Sequence, residues 1–148
     1  MDFFTADTHF YHKDVIHYCS RPWETVEEMN EALIENWNNT VGWDDTVYHV
    51  GDVAFCNKVK TRELIQRLHG HKILLLGNHD LHRTVSFWED AGFDRAIKLG
   101  YGQTHKYYSV DGTVLFHMCH YPLQHVMGEY DQREYLVPHA PKKDNLRV

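Results

Sequence analysis

Lys72-Ile73-Leu74-Leu75-Leu76-Gly77-Asn78-His79-Asp80 is the stretch on which the fold turns: a lysine and four aliphatic residues, stopped by a glycine and then by three polar side chains. An unbroken apolar run of this length, closed by a turn residue, has the pattern of a buried strand. Gly77 lets the backbone turn tightly. Asn78 offers a neutral hard oxygen, and the adjacent His79-Asp80 pair supplies an imidazole with an orienting carboxylate.

Outward from that stretch the same grammar recurs. Phe3-Phe4-Thr5-Ala6 stops at Asp7-Thr8-His9, Thr46 to Val50 stops at Gly51-Asp52, and Thr113 to Met118 runs towards His120-Tyr121-Pro122. Each reads as a short strand followed at once by a polar cluster. Between the strands, Thr25 and Glu28 make a capping box, and Val26, Met29, Leu33 and Trp37 line one face of a helix that ends near Asn38-Asn39. A second helix is expected from Val59 to Leu68, stopped by Gly70, and a third from Thr84 to Ala91, closed by Gly92. Ala96 to Leu99 and Lys106 to Val110 read as strands, with Asp111-Gly112 turning the chain into the strand that precedes His120.

Strands alternating with helices, then a hairpin, imply an α/β sandwich of mixed β-sheet flanked by helices, with a site at the carboxyl ends of the strands. A length of 148 residues, 43% of them hydrophobic and 24% charged, suits a single domain over 1-148 with one core. A net charge of −6 argues against a broad nucleic-acid-binding face, which needs clustered Lys and Arg to displace counterions. Thirteen histidines suggest that bound divalent metal supplies local positive charge instead. Cys19, Cys56 and Cys119 are too few and too far apart for a disulfide framework or a zinc-binding pair, and they read as buried free thiols in a reducing compartment. No apolar run approaches the roughly 20 residues that cross a bilayer, so no membrane partner and a cytoplasmic location are expected.

In an α/β sheet, ligands collect beyond the carboxyl ends of the strands, so clusters in four segments can converge on one site. Singly, Asp-x-His and Gly-Asp are common as turn or cap residues after a strand, whereas Gly77-Asn78-His79-Asp80 is the specific one. Carboxylate, imidazole and amide ligands without thiolate suit manganese, iron, nickel or zinc rather than a structural zinc finger. Two such ions bridged by one carboxylate would polarise a phosphoryl oxygen and lower the pKa of a bridging water, making hydroxide at neutral pH. That is the chemistry of phosphoester hydrolysis.

These clusters, in this order, resemble the calcineurin-like metallophosphoesterase family, whose pattern runs Asp-x-His, Gly-Asp, Gly-Asn-His-Asp/Glu, His and finally Gly-His-x-His. Ala6-Asp7-Thr8-His9-Phe10 through His12, Arg21-Pro22-Trp23, Thr46 to Phe55 and Cys119-His120-Tyr121-Pro122 resemble its small single-domain branch in bacteria and phages. The resemblance implies two divalent metal ions, the first held by Asp7 and His9, the second by Asn78 and His120, with Asp52 bridging both. It implies His79 as the catalytic side chain facing the substrate, stabilising the transition state or protonating the leaving oxygen, with Asp80 holding its ring. His12 is then a substrate-phosphate contact. The activity implied is hydrolysis of a phosphodiester or phosphomonoester by a metal-bound hydroxide, without a covalent enzyme intermediate.

The sequence departs from that pattern in one place: no Gly-His-x-His follows His120. His125 and His139 are the histidines nearest to where it belongs, although Val137-Pro138-His139-Ala140 does not reproduce the motif and His139 reads more simply as a solvated tail residue. Water or another histidine filling the positions, a partner chain completing the site, and a centre that binds metal weakly are the three accounts. The last defines an alternative function, a catalytically weakened protein of this fold that binds metal and a phosphate-containing ligand. His49 and His117 are expected within strands and His17 on a short helix. Trp23, Trp37, Trp43 and Trp88 are expected in packing rather than as a base-stacking platform.

Overall fold

The aliphatic run at Ile73 to Leu75 lies in a strand at the middle of a parallel sheet. In the computed structural model, which describes residues 1–100, 103–109, 112–113 and 115–121, β1 (Asp2–Thr5), β2 (Thr46–His49), β3 (His71–Leu75) and β4 (Arg95–Ile97) pair in the order β1-β2-β3-β4. All three pairings are parallel, and the register aligns Thr5 with His49, His49 with Leu74, and Leu74 with Ala96. The connecting helices are α1 (Lys13–Tyr18) and α2 (Val26–Thr40) between β1 and β2, then α3 (Lys58–Arg67) and α4 (Val85–Ala91).

Crossovers between sequential parallel strands are right-handed, so successive helices land on one face of the sheet. Burial agrees: Ile34 of α2, Leu64 and Ile65 of α3 and Trp88 of α4 pack with Leu74 and Ala96 in one core cluster. On the opposite face Phe4 stacks on Tyr48, ring centroids 5.3 Å apart. The capping box expected at Thr25 is present in both directions, with Glu28 accepting from the Thr25 amide and donating its own amide to the Thr25 hydroxyl.

The structure forms two compact units, Met1–Ile97 and Lys98–Val148. In the second, β5 (His105–Tyr108) and β6 (Leu115–Met118) form an antiparallel pair, with Thr104 and the His117 ring joined by a hydrogen bond of 2.7 Å. Parallel and antiparallel pairing are thus carried by different sheets. Among the described residues, no helix is long and apolar enough to cross a membrane.

Two local expectations are corrected. Trp43 lies on the turn before β2 and is 69% exposed, its ring 4.0 Å from that of His69, so it takes no part in the core. Gly70 does not end α3, whose C-cap is Leu68; it serves the link to β3 instead. There Lys72, on the helix-covered face, turns its ammonium back to donate to the carbonyls of Leu68 (3.0 Å) and Gly70 (2.7 Å). Burial lowers the pKa of this lysine, and the two carbonyls make its position tenable.

Gly70 adopts φ +79, and a Cβ there would stand 2.7 Å from the Asp45 carbonyl oxygen and 2.9 Å from Val41 Cγ1. Left-handed backbone and a clash with backbone act together, so Gly70→Ala is expected to lower unfolding stability by about 2 kcal/mol or more. Urea denaturation followed by far-UV circular dichroism measures this, and an unchanged midpoint would refute it.

Candidate metal centre

With four parallel strands, the carboxyl ends lie at one edge, and the clusters after β1, β2 and β3 meet there. The chain segments after β1 and β2 stay paired beyond the strands. The amides of Asp7, His9 and Phe10 donate to the carbonyls of Gly51 (3.0 Å), Asp52 (3.0 Å) and Val53 (2.9 Å), and the Phe55 amide donates to the Phe10 carbonyl (2.8 Å). Their backbone is nonetheless far from extended: Asp7, His9, Tyr11 and Asp52 have φ of 54, 51, 62 and 59, and Gly51 has φ 90. For a residue with a Cβ this conformation costs roughly 1–2 kcal/mol. Three of these four residues are the carboxylates and imidazole that the sequence singles out, which is where stored backbone strain marks function.

The side chains on these turns lie close together. His9 Nε2 lies 3.6 Å from Asp7 Oδ1 and 3.7 Å from Asp52 Oδ2, and His79 Nε2 lies 3.9 Å from the same Asp52 oxygen. A carboxylate oxygen of Asp7 and one of Asp52 come within 4.8 Å of each other. These separations are too long for hydrogen bonds, yet His9 Nε2 stands within 3.7 Å of one oxygen of each carboxylate. Burial pulls the His9 pKa down, against the opposing pull of Asp52 and Asp7, which favours the neutral ring. Its Nδ1 faces His12 Nδ1 at 3.2 Å; with the hydrogen on His9 Nδ1, the Nε2 lone pair is left to a ligand. Two carboxylates and a neutral imidazole fit a hard or borderline divalent cation.

Buried polar contacts hold this arrangement from behind. The Asp80 carboxylate, 1% exposed, accepts from three backbone amides: Asp52 (2.7 Å) and Gly77 (2.9 Å) on one oxygen, Val53 (3.1 Å) on the other. Burial raises its pKa, against the effect of those three donors; three donors on two oxygens is the pattern that suits the ionised form. The Asp80 carbonyl in turn accepts from the indole of Trp88 in the core (3.4 Å). Thr8 donates to the Val53 carbonyl (3.0 Å) and shares a hydrogen bond of 2.9 Å with His49 Nε2. Asn30 of α2, also buried, accepts from the amide of left-handed Tyr11 (3.0 Å).

The structure brings Asp7, His9, Asp52, His79 and Asp80 together and sets His12 beside His9. Asn78 stands in the same loop, exposed, and the His79 side chain beside it is 46% exposed while its amide donates to Asp52 Oδ1 at 3.0 Å. His120 follows β6 in the second unit, its ring 5.4 Å from that of Tyr121. His125 and His139 lie outside the described residues. The ring-holding role implied for Asp80 is not what its carboxylate does: it binds backbone. Phe55 escaped the sequence reading, yet its ring lies 4.0 Å from His12, 4.9 Å from His79 and 5.3 Å from His9. Asn30 also escaped it, although a polar residue four positions after Val26 and three before Leu33 interrupts the inner stripe of α2 and was there to be read.

Comparison with known proteins points the same way. The family model described as calcineurin-like phosphoesterase matches residues 3–146. An uncharacterized protein of Methanocaldococcus jannaschii is 51% identical over 77 residues, 51% of this chain and 44% of that protein. The gene 66 protein of Mycobacterium phage L5 is 35% identical over 80 residues, 52% of this chain and 38% of that protein. The chain thus matches about two fifths of the length of these curated relatives. A crystal structure of a protein of unknown function from Aquifex aeolicus shares the fold, with TM-score 0.65 and 22% identity over 90% of this chain and 74% of that one.

Asp80→Asn keeps the shape but replaces one accepting oxygen by an amide donor, leaving at least one of the three buried backbone amides without an acceptor. The expected loss is about 2–4 kcal/mol at pH 7, from a charge-assisted bond removed and a buried donor stranded. Urea denaturation reads it; a variant as stable as the parent would mean that the carboxyl is not held as an ionised acceptor.

Proposed function

The chain belongs to the calcineurin-like phosphoesterase family, and from that premise we propose that it hydrolyses a small phosphodiester or phosphomonoester with two divalent metal ions. Asp7, His9 and the bridging Asp52 are the proposed ligands of one ion, Asn78 a ligand of the other, and His120 keeps the ligand role that the family pattern gives it. When bound, the ions would polarise the phosphoryl group and supply a water acidic enough to attack it at neutral pH. One observation carries the reading: three candidate ligands sit in left-handed backbone on paired loops, with His9 Nε2 3.6 and 3.7 Å from the carboxylates of Asp7 and Asp52.

The chain's own residues account for the rest. A phosphate approaching Asp7 and Asp52 in a protein of net charge −6 meets repulsion, so cation binding and substrate binding are one electrostatic problem. His79 is the group able to move a proton: half-exposed, with its own amide anchored on Asp52 Oδ1, it has access to a leaving alkoxide and a fixed origin for its side chain. His12, hydrogen-bonded to His9 and stacked on Phe55, is proposed as a contact for the substrate phosphate. A cytoplasmic location belongs to the same proposal, supported by the free thiols of Cys19, Cys56 and Cys119, although they are not buried as expected: Cys19 is exposed and the other two are partly so.

Full-length protein stripped with EDTA is expected to be inactive on bis-p-nitrophenyl phosphate and p-nitrophenyl phosphate and to regain activity with manganese. His79→Ala should cost roughly 10²–10⁴ in kcat. Asp52→Asn should abolish turnover and weaken manganese binding in calorimetry. Metal-loaded protein that binds manganese and turns over neither ester would sink the hydrolase reading, as would activity indifferent to EDTA.

A further inference from the structure

We propose that Arg21 is the positioning residue of the metal centre, its guanidinium holding the Asp7 to His9 loop in the conformation that presents both ligands. The inference rests on the metal reading above and adds a residue that the ligand pattern does not contain. Its basis is an accounting of the loop's backbone groups. The amides of Asp7 and His9 go to the neighbouring loop, at Gly51 and Asp52. The carbonyls between them turn the other way, and the guanidinium receives both: Nη2 donates to the Asp7 carbonyl at 2.7 Å and Nη1 to the Thr8 carbonyl at 2.8 Å.

Two successive carbonyls addressed by two nitrogens of one planar group is a fork that an ammonium cannot reproduce. The side chain starts from a fixed point. The Arg21 amide donates to the Ile16 carbonyl at the end of α1 (2.9 Å), after a left-handed Ser20 (φ 48). Nη1 also lies 3.3 Å from the sulfur of Met29, which is fully buried in α2. The chain between α1 and α2 therefore reaches under the ligand loop and braces the two carbonyls that its left-handed turns expose. Ligand direction follows from backbone direction, so the brace acts on the metal through Asp7 and His9.

The test uses full-length Arg21→Gln and Arg21→Lys, with Arg62→Gln as a comparison, because Arg62 is also an arginine forked onto backbone, at the Asp90 carbonyl (3.1 and 2.9 Å), but joins α3 to α4. In metal-free protein, three-bond HN–Hα couplings and carbon shifts of Asp7 and His9 report positive φ by NMR. Manganese affinity is read by calorimetry. The parent is expected to show the left-handed signature, Arg21→Gln to lose it and to bind manganese roughly 10–100-fold more weakly, as when a group supporting a metal ligand is removed. Arg21→Lys should fall between, and it serves if Arg21→Gln does not fold. Arg62→Gln should leave affinity within about twofold, being remote from the ligands. An Arg21→Gln protein with the parent's couplings and affinity overturns the proposal. If the parent itself binds no manganese, the hydrolase reading falls, and the NMR arm alone decides whether Arg21 holds the loop.

Discussion

The Asp80 carboxylate, locked between the amides of Asp52, Val53 and Gly77, is the contact on which the rest of the centre depends. It joins the loop after β2 to the loop after β3, and through the backbone pairing of Asp52 and Val53 with His9 and Phe10 it reaches the loop after β1 as well. Three segments far apart in sequence are thereby referred to one buried anion. The anion is anchored to the core in its turn, since the Asp80 carbonyl accepts from the Trp88 indole. An acid in such a place faces a desolvation cost that only several fixed donors offset, and once offset the contact has little freedom to rearrange.

Around that contact the molecule separates two tasks. Apolar packing of α2, α3 and α4 on one sheet face, aliphatic and aromatic together, makes the core. The edge at the strand ends carries the strain, in left-handed Asp7, His9, Tyr11 and Asp52, with polar supports from Thr8, His49, Asn30 and Arg21. Every support is a side chain bonded to backbone or to another buried polar group. A ligand loop built this way presents its side chains in advance of any ligand, so little ordering entropy is left to be lost on binding.

Much of this was legible in the sequence because it is local or periodic. The Thr25–Glu28 capping box, the aliphatic β3 and the Gly92 stop after α4 are written in neighbouring residues, and the polar clusters following strands marked the edge where chemistry would gather. What was not legible is what long-range pairing imposes. Nothing adjacent to Asp7, His9 or Asp52 forces φ positive; the neighbouring loop and the guanidinium of Arg21 do. Asp80, beside His79 in the chain, suggested a partner for that ring, but burial turned its carboxylate towards backbone amides instead. Trp43 was expected in packing, yet it stands on a turn outside the core.

The ladder of backbone hydrogen bonds between the loops after β1 and β2 has a consequence for the timing of events at this edge. With Asp7, His9 and Phe10 stitched to Gly51, Asp52 and Val53, and Asp52 and Val53 stitched to Asp80, the loops behave as one body, and parting them would break several buried bonds at once. The side chains of Asn78 and His79 stand exposed at the rim of this body. Rotation of such side chains takes picoseconds to nanoseconds, whereas collective loop motion takes nanoseconds to microseconds. Among the described residues, this edge is a floor fixed by backbone hydrogen bonds, and exposed side chains at its rim turn faster than the floor itself can part.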